Sequence, residues 1–394
     1  MNRTGIHMRI TDWIIIVVFA CVLFVPLCLS IIQPDLTFSK TEKRPLAELP
    51  QIADLDETTT FPRHFDAYYQ DHFGLREWLI HRYQREMGKR FGLSGVSYVV
   101  EGSDGWLFFA GEEVLDDLQG QLQFSDNELR RFRRNIMAKR NWLARRNIQY
   151  IPLVAANKQS IYPEHLPEYY RLAKKQTRLD HLLASCNRDV ETMILDLRPA
   201  LIGSKAKGRL YDRTDTHWNY LGAHVAYLEI MGRVQKHFPD FVYRRQFSFD
   251  ADWKSFVGGD LALMLGRRDS LRETRPVPRQ KQFTSRAKPL PVELSELLSL
   301  EQFEPELRER SGTGLRLLVL HDSFFNHLKP FVSENFDQAL YIWQFYDERT
   351  MEMFNRERLE QVLSHFKPDL VIEEVVERSL DRMLYSVDQD WTDG

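Results

Sequence analysis

The sequence predicts an α/β protein with a mainly parallel central sheet, preceded by one N-terminal transmembrane helix. From residue 315 onward, the apolar runs Leu315–Leu320, Ala339–Trp343 and Leu370–Glu373 alternate with helix-like segments around Phe325–Asn335 and Phe354–Phe366. That alternation is the pattern of strands joined by crossover helices. At the other end, Trp13–Ile32 is a run of 20 residues without a charged side chain. At ~1.5 Å per residue it reaches about 30 Å, the thickness of a bilayer core.

Taken in order, the apolar run is longer than the ~7–15 residues of a signal peptide's core. No small-x-small site follows it, and Val25-Pro26-Leu27-Cys28 lacks the small residues expected before a lipidated cysteine. It is therefore read as an uncleaved anchor. Arg3 and Arg9 precede the span closely, whereas Lys40, Lys43 and Arg44 lie some way beyond it. This places the short tail in the cytoplasm and the body on the far side, giving a single-pass inner-membrane protein facing the periplasm or cell exterior. The expected divisions are residues 1–33 as tail and anchor, 34–60 as a tether marked by Pro34, Pro45 and Pro50, and 61–394 as the body.

Phe65, Tyr68, Tyr69, Phe73, Leu75, Trp78, Leu79 and Tyr83 fall at helical spacing and are expected in the core. Ser103-Asp104-Gly105 reads as a turn before a short buried strand at Trp106–Phe109. Ser125 to Glu128 reads as a capping box opening an amphipathic helix, whose other face carries Arg130, Arg131, Arg133, Arg134, Lys139, Arg140, Arg145 and Arg146. Such a face is either solvated or a contact for an anionic polymer. Gln149–Ala155 and Thr192–Leu197 read as strands and Asn219–Val234 as a helix. Between Arg272 and Glu306, five prolines and many charges predict a long irregular stretch.

Composition narrows the function classes. A chain of 394 residues with 43% hydrophobic and 28% charged residues is that of an ordinary globular protein. A formal net charge of -3 gives no electrostatic case for nucleic acid. Cys21 and Cys28 lie inside the apolar run and Cys186 is alone outside it, which excludes a disulfide within the body and a thiolate zinc cluster. No metal and no diffusible cofactor is expected.

In an open parallel sheet, ligands bind beyond the carboxyl ends of the strands. Ser323 occupies such a place, because the run Arg316–Leu320 leads into His321-Asp322-Ser323-Phe324-Phe325. At the start of a helical turn, free backbone N–H groups can stabilise an oxyanion. A serine hydroxyl needs a base, and that base an orienting carboxylate. Asp215-Thr216-His217 supplies both, since residues two apart in an extended turn point the same way. Asn157, Lys158, Trp343 and Gln344 follow predicted strands on the same edge and are candidates for substrate binding or the oxyanion region. The bland readings are a simple N-cap for Ser323, a loop histidine for His217, a turn residue for Asp215, a surface lysine and a core tryptophan.

Several segments, taken together and in order, resemble the alginate O-acetyltransferase AlgX/AlgJ type family. They are Phe73-Gly74-Leu75-Arg76, Gly105-Trp106-Leu107-Phe108, Asn157 to Glu164, Asp215-Thr216-His217-Trp218-Asn219, Gly259-Asp260-Leu261-Ala262, His321-Asp322-Ser323-Phe324, and Pro368 to Ile372 with Glu377-Arg378. The resemblance spans about Phe61 to Leu380 and implies a three-layer fold similar to SGNH hydrolases. It also implies a catalytic triad of Asp215, His217 and Ser323, whose Asp, His, Ser order is the family's permutation. His321 departs from the glycine of Gly-Asp-Ser turns, and no room is expected for a terminal carbohydrate-binding module.

The expected activity is O-acetylation of hydroxyls on an extracellular polysaccharide, alginate-like or another exopolysaccharide. As the resemblance implies, a membrane-bound O-acyltransferase supplies the acetyl group. The rivals are an acetyl-polysaccharide esterase with the same triad, a non-catalytic scaffold of an export complex, and a metal-dependent deacetylase using Asp215, His217, His224 or His327.

Overall fold

The computed structural model describes residues 9–32, 38–39, 44–50, 61–76, 78–80, 82–83, 98–185, 193–250, 253–298, 304–310, 314–343, 345–347, 352–353 and 356–381. The chain forms two compact units, 1–95 and 96–394. The boundary drawn from the sequence at residue 61 falls inside the first.

In the first unit, helix α1 (Ile10–Ile32) is long and apolar enough to cross a membrane over Trp13–Ser30, and its side chains are almost all uncovered by protein. Helix α2 (Phe61–Asp71) buries none of its side chains. Phe65, Tyr69, Trp78, Leu79 and Tyr83 are exposed. The aromatic stripe expected in the core is therefore not core: helical spacing shows that residues share a face, not that anything covers it.

Among the described residues, the central sheet of the second unit has seven strands: β1 (Gln149–Ala155), β2 (Leu195–Asp196), β3 (Arg286–Lys288), β4 (Glu306–Glu309), β5 (Arg316–His321), β6 (Gln338–Trp343) and β7 (Leu370–Val376). Their order across the sheet is β2-β1-β7-β5-β6-β4-β3. The first five run parallel, while β4 and β3 add an antiparallel edge. Edge strand β3 lies inside the stretch expected to be irregular and β4 begins at its end; the same stretch also holds a helix at Val292–Leu297. Its prolines end elements there without preventing them. Thr192 lies outside the described residues; among the described ones, the strand expected at Thr192–Leu197 is β2.

Parallel strands covered on both faces alternate their apolar residues between two cores. Ile151, Leu153, Leu317, Val319, Tyr341 and Ile372 face one core. Val154, Leu318, Leu320, Ile342 and Val371 face the other. The second core is closed by helix α3 (Asp126–Ala144) and the helix Arg356–Phe366; the first is closed by helix α4 (Tyr220–His237) and helix α5 (Asp260–Met264). The expected capping box is present, with Ser125 and Glu128 bonded reciprocally, and Asn219, read from the sequence as the first helical residue, is instead the cap of α4, its side chain accepting from the N–H groups of Leu221 and Gly222. One residue of the basic face on α3 differs from expectation. Lys139 is buried and its Nζ lies 2.6 Å from Glu373, in the middle of β7.

Candidate active site

The parallel strands bring their carboxyl ends to one edge of the sheet. After β5, the chain turns into a 3-10 helix over Ser323–His327, followed by short turns at Lys329–Val332 and Ser333–Asn335 in place of the single helix expected there. Asp322 caps this turn: its Oδ1 accepts from the Phe324 N–H at 2.8 Å and its Oδ2 from Val376 N–H at 2.9 Å. Asp322 N–H in turn donates to Glu374 Oε2 at 2.9 Å. Burial, then the Asp322 charge, pushes the Glu374 carboxyl well above the usual range. Ser323 is thus seated on a turn tied to both β5 and β7.

The second component is the loop before α4. His217 Nε2 lies 2.8 Å from Ser323 Oγ and His217 Nδ1 lies 2.7 Å from Asp215 Oδ1. A carboxylate only accepts, so Nδ1 carries the proton and Nε2 is left to accept from the serine hydroxyl. Burial would raise the Asp215 carboxyl, but the hydrogen bond and charge of His217 and the N–H groups of His217 and Asp260 hold it well below the usual carboxylate range. Such a relay lets a serine hydroxyl lose its proton as it attacks. Thus the three residues expected to act together do meet.

What holds the loop is only partly visible in the sequence. Lys158 is buried, and its Nζ donates to the backbone carbonyls of Asp212 (3.0 Å), Arg213 (3.0 Å) and Asp215 (2.6 Å). Its three protons are all taken, which makes it an anchor for the loop. Burial lowers its ammonium to about 8 against the opposing pull of Asp215, Asp260, Glu273 and Asp212. Glu273 accepts from the N–H groups of Arg213 and Thr214 and from the Thr214 hydroxyl. Asp260 takes the Thr216 N–H (2.7 Å) and hydroxyl (2.8 Å), and its own N–H donates to Asp215 Oδ2 at 3.1 Å. A Cβ at Gly259 would sit 2.5 Å from both Cβ and Oδ2 of Asp215, so glycine is needed for that close approach. Gly259-Asp260 belongs to a segment that carries the family resemblance; Glu273 lies among charges with no pattern to mark it.

The other candidates divide. Asn157 is buried after β1, with its N–H donating to Glu377 Oε2 at 2.9 Å. Trp343 ends β6 half-buried, its ring 5.5 Å from His321 in a T-shaped contact. Gln344 lies outside the described residues. His321 fills the place of the expected glycine: it is buried, its Nδ1 donates to the Asp322 carbonyl at 2.7 Å, and burial followed by the Lys329 charge lowers it to about 3. It packs as a neutral aromatic ring. For a metal, the grouped ligand atoms among the described residues are those of Asp215, His217 and Asp260. His224 instead lies 3.3 Å from the Arg245 carbonyl, through its Nε2.

Residues 99–302 match the family described as "SGNH hydrolase-like domain, acetyltransferase AlgX". The chain belongs to the AlgX/AlgJ-like SGNH hydrolase family. The matched stretch contains Asp215 and His217 and stops before Ser323, which the fold brings to them. Among relatives, the chain is 29% identical to "Probable alginate O-acetylase AlgJ" of Azotobacter vinelandii over 161 residues, covering 41% of this chain and 39% of that one. It is 29% identical over 232 residues to the protein of the same name from Pseudomonas aeruginosa, covering 57% of this chain and 56% of that one. The chain thus spans about half the length, or less, of the curated relatives it matches. A solved structure, "O-Acetyltransferase Domain of Pseudomonas putida AlgJ", superposes with a TM-score of 0.43 at 16% identity, covering 72% of this chain and 92% of that one. The α/β fold and its largely parallel sheet are those of an SGNH hydrolase-like protein. Family membership and the apolar N-terminal helix are consistent with a membrane-anchored periplasmic protein.

Proposed function

We propose that this chain is a polysaccharide O-acetyltransferase working through an acetyl-Ser323 intermediate. The observation that carries the reading is the unbroken set of hydrogen bonds from Asp215 through His217 to Ser323, at 2.7 Å and 2.8 Å. Ser323 Oγ attacks the donor's acetyl carbonyl while His217 Nε2 takes the hydroxyl proton. The tetrahedral oxyanion collapses, the donor's leaving group departs with that proton, and acetyl remains on Oγ. A sugar hydroxyl then attacks the ester carbonyl, its proton goes to His217, and Ser323 leaves with the proton returned. Asp215 fixes the imidazole and stabilises its charged form.

The turn's Phe324 N–H is already held by Asp322, which leaves the Ser323 N–H as the oxyanion donor from that turn. Asn157 is assigned to the same oxyanion region and Trp343 to the wall on which a sugar packs. Lys158, assigned to substrate from the sequence, is better supported as the anchor of the Asp215 loop. The acceptor is an extracytoplasmic polysaccharide, alginate-like or another exopolysaccharide. The acetyl donor is a membrane-bound O-acyltransferase partner, because acetyl-CoA is confined to the cytoplasm. The same relay supports esterase chemistry when water replaces the sugar.

The test is mass spectrometry of the protein mixed with an activated acetyl ester, with and without oligouronates and neutral oligosaccharides. A one-acetyl adduct on wild type that is absent in Ser323→Ala and passes to one sugar class is the expected result. An adduct lost only to water assigns the esterase; no adduct and no ester turnover overturns the reading. Asp215→Asn is expected to slow turnover about 10⁴-fold.

A further inference from the structure

Two segments run side by side at the site. His217 meets Ser323 at 2.8 Å, the Trp218 indole N–H donates to the Phe324 carbonyl at 3.0 Å, and one step further the Tyr220 and His327 rings meet at 4.6 Å and 79°. Tyr220 is the first residue of α4, and His327 is the last of the turn that Ser323 opens. The cap at Asn219 and the turn after β5 therefore fix this pair by the same elements that fix the reacting residues. Both side chains are half-buried.

Their polar atoms are left over. Neither the Tyr220 hydroxyl nor a His327 nitrogen makes a hydrogen bond among the described residues; His327 Nδ1 is sealed in the protein, while Nε2 and the Tyr220 hydroxyl remain reachable. Reachable polar atoms with no protein partner, held on rigid rings beside a nucleophile, are free to exchange water for the hydroxyls of a ligand. Burial, then the charge of His217, lowers His327 to about 4, so its ring is neutral near pH 7. A neutral imidazole and a phenol match hydroxyls and give a carboxylate no counter-charge. The nearby Arg275 guanidinium is 3.2 Å from Asp212 and so already paired.

We propose that Tyr220 and His327 form the acceptor subsite, gripping two neighbouring ring hydroxyls of the incoming sugar beside acetyl-Ser323. The inference rests on the proposed function and names the chemistry that would let sugar compete with water. A bound pyranose would hydrogen-bond to Nε2 and the phenol, with its C–H face against the rings.

The experiment separates this from the chemistry by reading binding in full-length Ser323→Ala, where no turnover occurs. Calorimetry with alginate-derived oligouronates and cello-oligosaccharides is expected to find a ligand in one series. Adding Tyr220→Phe or His327→Gln is expected to weaken it about tenfold each, the size of one lost hydrogen bond, with the melting temperature held within a few degrees. In the active protein, the same changes lower the ratio of acetyl transferred to acetyl hydrolysed. No saccharide binding, or binding unchanged by both substitutions, overturns the subsite. An absent acetyl-enzyme in wild type instead overturns the proposed function and leaves the binding result standing.

Discussion

Lys158 holds three carbonyls of the loop that carries Asp215, and its charge state has a consequence for both stability and activity. Its folded pKa of about 8 lies below its ordinary value of 10.5. Between those values the unfolded chain binds more protons, so this group's contribution to stability rises with pH. Activity should move the other way. A neutral amine has two protons for three carbonyls, and one strand of the anchor is lost. Ester turnover is expected to fall with an apparent pKa near 8 while the urea midpoint holds or increases, and Lys158→Met should abolish that alkaline limb at a lower plateau. Parallel loss of turnover and stability through this range would contradict the anchor role. Asp215, His217 and Ser323 were legible as candidates because strand ends and a two-residue spacing constrain direction, and the family resemblance joined them into one site. Lys158 was legible as a position but not as a role, since a lysine after a strand reads the same whether it faces ligand or backbone.

Between elements, the close fit of the Gly259–Asp260 turn to the Asp215 loop makes a sharp steric prediction. A methyl at Gly259 would meet Asp215 atoms at 2.5 Å, whereas one at Gly203 meets nothing within 4 Å. Gly259→Ala is expected to cost turnover about 10²-fold, the effect of a misplacement of ~1 Å, and Gly203→Ala to cost none. Ester kinetics on the two variants at equal melting temperature would check it. Helix α4 was readable because its apolar residues keep helical spacing, whereas Asn219 was read as its first residue and proves to be its cap. The segment after Ser323 was not: Pro330 stands inside it, and the chain there takes successive short turns that apolar spacing alone cannot distinguish from one helix. The short strands β3 and β4 were hidden because edge pairing depends on neighbours, not on local pattern.

At the scale of the molecule, the second unit depends on what crosses its sheet. Lys139 on α3 reaches Glu373 on β7, and Glu373 also accepts from the Tyr150 hydroxyl on β1. A buried charge stripped of its partner is among the larger single losses a fold can take. Lys139→Ala removes the ammonium 2.6 Å from the buried Glu373 carboxylate and is expected to destabilise by about 3–5 kcal/mol. Arg134→Ala, on the exposed side of the same helix, should change stability by less than about 0.5 kcal/mol. The double change Lys139→Met with Glu373→Leu removes both charges and is expected to recover much of the loss, because the penalty belongs to a buried carboxylate whose counter-charge has gone. Urea denaturation of the four proteins decides it. Equal destabilisation by Lys139→Ala and Arg134→Ala would mean that the basic residues of α3 are one solvated face, and failure of the double change to recover would place the cost in packing.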